Sequence, residues 1–388
     1  MASKALTQDD AARRTAAPLG VSGTRITATS WQALEAPEAR YAWDALGELA
    51  AEPNPFHESW YLLPALRALD PEGKVKVLRF EAGGELAGLL PVRHENRYYR
   101  WPIPQLCNWI HGNSFQGAPL VARGLEREFW RALLGWADRH AGSGLFLHLA
   151  QVPLEGRLYE ALQTVLAVQG RQAALVHREE RAMLASRLSA EAYFEASLSG
   201  KKRKELRRQF ARLSELGELT FDRRTDDAHL ARWVEDFLAL EHSGWKGAQG
   251  SSLASQQATA RLFKEALFGA ASRGRLERLT LGLDGEPIAM LVNFITPPGA
   301  YSYKTAFDER FARYSPGVLI QRENLALLDR TGIDWVDSCA AADHPMIDHI
   351  WRERRPVGRL SIAIGGRLRR ALFAQLVRAE LGRNPAGI

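Results

Sequence analysis

The sequence predicts an α/β protein of the α+β kind, built as two copies of one domain in tandem. Each copy is expected to be a mixed, mostly antiparallel sheet flanked by helices. Three observations point there. Residues 75–92 (VKVLRFEAGGELAGLLPV) and 276–292 (LERLTLGLDGEPIAMLV) both read as apolar run, Gly-containing turn, apolar run. Gly84-Glu85 falls on Gly285-Glu286 at an offset of 201 residues, too long a period for a solenoid. Each hairpin also follows an apolar helical stretch that opens with Phe, at Phe56 and Phe263. At 388 residues the chain is long enough for two cores of ordinary size. Two such domains create a cleft, which is where ligands usually sit.

The elements follow in order. Residues 24–30 alternate as a short strand. Residues 38–51 and 56–69 have helical spacing, and the first hairpin follows at 75–92. Residues 101–121, rich in Pro, Gly and Trp, read as irregular loop. Residues 125–140 put Phe129, Leu133 and Trp136 on one helical face. A buried strand is expected at 144–149 and a helix at 155–169. The second copy begins with a long basic helix near 190–216, with Leu206, Phe210, Leu213 and Leu216 as its apolar stripe. A strand at 218–223 and helices at 226–241 and 255–272 come next. After the second hairpin, residues 300–306 alternate as a strand. A helix at 316–330 opens with Pro316-Gly317, Pro being well placed in a first turn. Strands at 333–339 and 358–364 and a basic amphipathic helix at 366–382 complete the chain.

Composition narrows the class. Apolar residues make up 46% and charged residues 25%, as in a globular protein. Cys107 and Cys339 supply neither a disulfide framework nor metal-ligand spacing, which fits a reducing cytoplasm. No apolar run reaches the ~18 residues of a membrane span, and the N-terminus lacks a signal-peptide core. The net charge of +6 is local: residues 199–213 carry +6 and residues 366–388 carry +4, which leaves −4 elsewhere. Local charge of this kind points to a local anionic partner. No P-loop, dinucleotide fingerprint or zinc spacing appears. His344-Pro-Met-Ile-Asp348 matches H-x-x-x-D of condensation-type acyltransferases but lacks the following Gly.

The second half carries a set of motifs. These are Glu241-His-Ser-Gly-Trp-Lys-Gly247, Leu283-Asp-Gly-Glu-Pro-Ile-Ala289, Tyr303-Lys-Thr-Ala-Phe-Asp308, Tyr314-Ser-Pro-Gly317, Asp337-Ser338 and Met346-Ile-Asp-His-Ile-Trp351. With the element order around them, they resemble the GNAT acyltransferase fold over about residues 190–365. Two copies in one chain are similar to the tandem-GNAT FemABX peptidyltransferases. The set most closely resembles the CelD-type GNAT acyltransferases, first linked to cellulose biosynthesis.

That resemblance implies acyl transfer from a thioester to an amine, with acyl-coenzyme A as co-substrate and no permanently bound cofactor or metal. The coenzyme A pyrophosphate is expected at a loop leading into a helix N-terminus, where free N–H groups and the macrodipole favour an anion. Here that place holds Arg310, Arg313, Ser315 and Gly317, although Pro316 and the single Gly depart from the Q/R-x-x-G-x-G/A pattern. A base must take a proton from the amine. Glu241, His344, Asp337 and Asp308 are the candidates, and Lys304 is a further candidate catalytic group in the cleft. Trp245, Lys246, Tyr303 and Asp308 are expected to contact substrate. So are Trp109, His111 and Asn113, in an irregular loop suited to acceptor recognition.

The expected division is a disordered tail at 1–20, a GNAT-like domain at 21–185, a second one with the acyl-donor site at 186–365, and the basic helix at 366–388. The expected acceptor is a primary amine of a cell-envelope precursor, either a long-chain sphingoid base, as in bacterial ceramide synthesis, or an exopolysaccharide amino sugar. An aminoacyl-tRNA-dependent peptidyltransferase and a non-catalytic lipid- or polysaccharide-binding protein are the alternatives. Aromatics do not interleave the basic run at 201–212, so nucleic acid is not the expected partner. The expected location is the cytoplasm, with segment 366–388 touching anionic lipid on the inner face of the membrane.

Overall fold

The computed structural model describes residues 23–342, 344, 346–385 and 387–388. The expected tail at 1–20 lies outside them. The first half runs β1 (Arg25–Ser30), α1 (Pro37–Leu49), α2 (Ser59–Leu69), β2 (Lys76–Ala82), β3 (Glu85–Glu95) and β4 (Gln105–Asn108). It continues with β5 (Leu120–Val121), α3 (Glu126–His140), β6 (Phe146–Pro153), α4 (Arg157–Val168) and β7 (Ala173–Leu184). Two helices, α5 (Ala190–Ser197) and α6 (Gly200–Ser214), lead into the second half. There follow β8 (Leu219–Arg224), α7 (Leu230–Ser243), the one-turn α8 (Trp245–Ala248), α9 (Gln257–Ser272), β9 (Leu276–Leu283) and β10 (Glu286–Thr296). The chain ends with β11 (Gly299–Phe307), α10 (Pro316–Asn324), β12 (Trp335–Asp337), β13 (Glu353–Ala363) and α11 (Arg367–Leu381).

Four readings differ from expectation, the first being the irregular loop at 101–121, which holds β4 and β5 because both pair with β3. The single basic helix is two helices, because Ser189 and Ser199 each cap a new start. Their hydroxyls accept from Ala192 N–H and Lys202 N–H at 3.3 Å. The helix at 316–330 ends at Asn324 and tightens into a 3-10 turn over Leu325–Asp329. Strand β7 falls where no element was expected. Its centre is His177-Arg-Glu-Glu-Arg181, which has no strand-like pattern, and it is strand because it pairs on both sides.

That pairing organises the whole sheet. Thirteen strands of the described residues form one sheet in the order β1-β2-β3-β4-β6-β13-β7-β12-β11-β10-β9-β8, with β5 on β3. The last strand of each half lies among the strands of the other: β13 sits beside β6, and β7 beside β12. Neighbours run antiparallel except β4·β6 and β11·β12, which are parallel. The two halves are thus related by a pseudo-twofold axis through the central β7·β13 pair. The equivalent helices α2 and α9 pack on each other, and Gly269 permits it. A Cβ there would lie 2.9 Å from the Trp60 backbone carbonyl. One core cluster spans both halves, including Phe56, Trp60 and Tyr61 from the first and Phe263, Phe294 and Tyr303 from the second.

Candidate active site

The parallel pair β11·β12 holds register for only three residues, Gly299↔Trp335 to Tyr301↔Asp337. Gly299 is needed at its start, because a Cβ would meet the Trp335 ring at 2.3 Å. At its end the chain leaves the sheet. The Asp337 carboxylate accepts Cys339 N–H at 2.8 Å, and Cys339 takes φ 54. From Ser302 onward β11 has no strand on that edge among the described residues. A bulge at Tyr303 re-aims the side chains there, since Val292 pairs Lys304 while Asn293 pairs Ser302. The two strands splay, and a cavity of about 580 Å³ opens between them.

Four segments line this cavity: Ser302–Phe307 of β11 with Glu309 just after it, residues 338–341 with His344, Met346 and Ile347, the end of α7 with α8, and Gly112 and Phe115 from the first half. Glu241 is buried on the last turn of α7. Its Oε1 accepts Lys246 Nζ at 2.8 Å and its Oε2 accepts Leu253 N–H at 2.7 Å. Lys246 can turn back because of Gly247, where a Cβ would meet His242 O at 1.7 Å. Lys304 is half-buried over the Phe115 and Tyr303 rings, 5.4 and 5.6 Å from their centroids. Burial, with the nearby Lys246 charge, lowers its pKa from 10.5 to about 8. His344 is half-buried, and its Nδ1 has no partner among the described residues. Burial and the charge of Lys246 push its pKa down, so the imidazole is neutral at neutral pH. Tyr303 lines the cavity, with its hydroxyl 3.1 Å from that of Tyr61.

Other expected site residues take different places. Asp337 does not line the cavity. Its buried carboxylate meets Arg355 Nη1 at 3.1 Å and Arg181 Nη1 at 3.4 Å. Asp308 caps the 3-10 turn that follows β11. It accepts Arg310 N–H at 2.9 Å and pairs with the Arg310 guanidinium at 2.6 Å, which holds its pKa down. Arg313 stacks on Tyr314 at 4.6 Å. Ser315 takes φ 57 and turns the chain into α10. Gly317 lies against the cavity wall, where a Cβ would meet Met346 Sδ at 2.5 Å and the Phe307 ring at 3.2 Å. Trp245 is exposed at the cavity mouth, its N–H held by Glu309 Oε1 at 2.8 Å. Trp109 and His111 support the 109–119 loop rather than line the cavity. The rings of His111 and Tyr61 stack at 6.2 Å. Asn113 lines a smaller polar cavity of about 160 Å³, which also touches Glu241, Lys246 and Lys304.

The equivalent opening in the first half is closed. There Asn108 bridges the splay of β4 and β6, donating to Gly117 O and Ala150 O at 2.9 Å and accepting Ala150 N–H at 2.9 Å. Gly117 lies so close that a Cβ would sit 2.0 Å from Ala150 O. The loop that fills this opening reaches across to the second half. Arg181 Nη1 donates to Phe115 O at 2.6 Å, and the Tyr61 hydroxyl donates to Asn113 O. Sequence reasoning missed Gly112, Phe115, Cys339 and Glu309 as cavity residues. A mirrored repeat with one loop longer than its counterpart is the signal that could have found the first two. Among the described residues, no three His, Cys, Asp or Glu side chains gather as a metal site. No helix there is long and apolar enough to cross a membrane.

Comparison with known proteins fits this geometry. Residues 200–344 match the family model of the acetyltransferase (GNAT) domain. The matched span contains β11, β12, α7, α10 and most of the cavity lining. No curated protein matches the chain in sequence. The crystal structure of FemX is similar over 87% of this chain and 98% of that one, with 11% identity and TM-score 0.54. A conserved protein of unknown function from Bacteroides thetaiotaomicron covers 84% and 97%, with 10% identity and TM-score 0.55. The C-terminal domain of a putative lysylphosphatidylglycerol synthetase from Agrobacterium fabrum covers 90% and 99%, with 15% identity and TM-score 0.50. At such identities these likenesses concern the fold. The match of residues 200–344 to the acetyltransferase (GNAT) domain supports an acyltransferase.

Proposed function

We propose that the chain is an acyl-coenzyme A-dependent N-acyltransferase that acylates a primary amine of a cell-envelope precursor, in the manner of the CelD-type enzymes its motifs resemble. One observation carries this: the cavity at the β11·β12 splay has a carboxylate, two lysines and a neutral imidazole in its wall, and the N-terminus of α10 beside it. In this reading the donor site belongs to the second half, residues 186–365. The first half, residues 21–185, supplies the wall at Gly112 and Phe115.

The donor phosphates would bind where α10 begins, since its first N–H groups favour an anion. Arg310 and Arg313 lie just before this helix, and the exposed Lys201, Lys204, Arg207 and Arg208 of α6 add positive charge. Gln209 joins α6 to this turn through Arg313 O at 3.3 Å. The thioester would extend along the unpaired edge of β11, where a backbone N–H can receive the developing oxyanion. Glu241 attracts the ammonium form of the acceptor and takes its proton. The neutral amine attacks the thioester carbonyl, an N–C bond forms and the C–S bond breaks. The nitrogen loses its second proton as coenzyme A leaves as a thiol. His344 is the second candidate for the base. The acceptor is a sphingoid base or an exopolysaccharide amino sugar.

A thermal-shift titration with coenzyme A, acetyl-coenzyme A and palmitoyl-coenzyme A tests the donor. A ligand that binds only the native state raises the melting temperature. Stabilisation by the thioesters is expected, and no shift with any of them would contradict the reading. A second reading, transfer from aminoacyl-tRNA, is favoured by the exposed basic face of α6. Loss of activity on ribonuclease treatment would select it.

A further inference from the structure

We infer that the turn at residues 96–103 and the outer face of α11 together form a docking surface for an anionic lipid bilayer. Helix α11 has two apolar sides. Phe373 and Val377 pack into a core cluster with Tyr98, Phe146 and Ala363. The opposite stripe faces solvent, with Leu368 85% and Leu372 60% exposed. That stripe runs on through Leu376 and Ala379 into a groove of about 510 Å³. The far wall of the groove is the 96–103 turn, which presents Tyr99 and Trp101, each 56% exposed.

The turn is rigid. Tyr98 and Trp101 exchange backbone hydrogen bonds at 3.0 Å, and the Tyr98 hydroxyl donates to Glu380 on α11 at 2.8 Å. Tyr99 is held at φ 50, which a bulky residue adopts only at a cost. Two exposed aromatics fixed beside an exposed leucine stripe match the chemistry of a membrane interface, where an apolar body is buried and a polar tip stays wet.

Arginines flank this apolar strip, with Glu380 the one acidic residue lining its groove among the described residues. Arg100 lies over the Trp101 ring at 5.3 Å, and Arg359 donates to the Tyr99 hydroxyl at 3.1 Å. Arg367 and Arg378 are exposed on the other side of the strip, about a quarter-turn round the helix. Basic residues flanking an apolar stripe favour anionic headgroups over a neutral surface and over a protein groove. The surface needs both halves of the chain, because the aromatics come from the first and the helix from the end. Deleting α11 would therefore expose Phe373 and Val377's core neighbours, and substitutions on the outer face are the cleaner probe.

The test is sedimentation of the full chain with vesicles of phosphatidylcholine alone and with vesicles containing phosphatidylglycerol. The wild type should pellet with the anionic vesicles, release at high salt and stay in solution with phosphatidylcholine. Trp101→Ala and the double variant Leu368→Glu/Leu372→Glu should each weaken pelleting about tenfold or more, with unchanged melting curves. Wild type that stays in solution with both vesicles would overturn the proposal, as would variants that pellet like wild type. Equal, salt-insensitive binding to neutral vesicles would overturn its electrostatic half. Self-association without vesicle binding would assign the strip to a second copy instead.

Discussion

Lys246 Nζ and Glu241 Oε1 form a 2.8 Å ion pair across the break between α7 and α8, on the wall of the cavity. The other carboxylate oxygen holds Leu253 N–H, so the pair also fixes the loop after α8. Glu241→Gln keeps one acceptor oxygen and removes the charge. Turnover should fall at least ~100-fold, the ordinary contribution of a positioned base. Coenzyme A affinity should stay within about twofold. Steady-state kinetics with a parallel binding titration check this. If His344→Ala loses turnover and Glu241→Gln does not, the imidazole is the base.

Asp337 is placed to organise the site from behind. It joins Arg355 of β13 to Arg181 of β7, and Arg181 in turn holds Phe115 O. Asp337→Asn would leave two buried guanidinium groups short of a counter-charge. Removing one partner of a buried pair costs about 3–5 kcal/mol. Urea unfolding should show that loss, along with a raised KM for the acceptor as the Phe115 wall loosens. Unchanged stability would mean that the arginines find other partners.

Lys304 sets a pH dependence. Burial lowers its pKa from 10.5 to about 8. Between those values the unfolded chain binds more protons than the native one, so this group's contribution to stability rises with pH through the window. The wild type should gain stability from about pH 8 to pH 10 relative to Lys304→Met. Parallel denaturation profiles for the two proteins would contradict the depressed pKa.

Arg310 and Arg313 test the donor site. Arg310 is already tied to Asp308, so its charge is half-committed, while Arg313 rests on Tyr314. The double replacement by Ala should weaken coenzyme A binding several-fold, with the larger share from Arg313. Unchanged affinity by titration would remove the turn before α10 from the phosphate site.

The hairpins β2·β3 and β9·β10 were legible because alternation and a Gly turn are local signals. Leu206 and Leu213 were correctly placed in the core, whereas Phe210 and Leu216 of the same stripe are partly exposed, because α6 packs along one narrow side. β7 was not legible: its backbone pairs with β13 and β12, which lie far off in sequence, while Arg178 and Glu180 pair within the strand and Arg181 meets Asp337 of β12. With β7 hidden, so was the exchange of final strands between halves. Glu241, Lys304 and His344 could be found as residue types near motifs, and they do share one cavity. The ion pairs that occupy Asp337 and Asp308 could not be read, because each depends on how strands or turns meet. Phe115 and Gly112 lie in the loop expected to recognise the acceptor, but their place in this wall depends on how the two halves meet.

The most direct test of the account is release of free thiol from acyl-coenzyme A by the purified chain, with and without a primary amine. A long-chain amino alcohol and an amino sugar would be offered as acceptors. The account predicts thiol release that requires one of these amines and is lost in Glu241→Gln or His344→Ala. A folded protein that releases no thiol from any acyl-coenzyme A with either amine would contradict it.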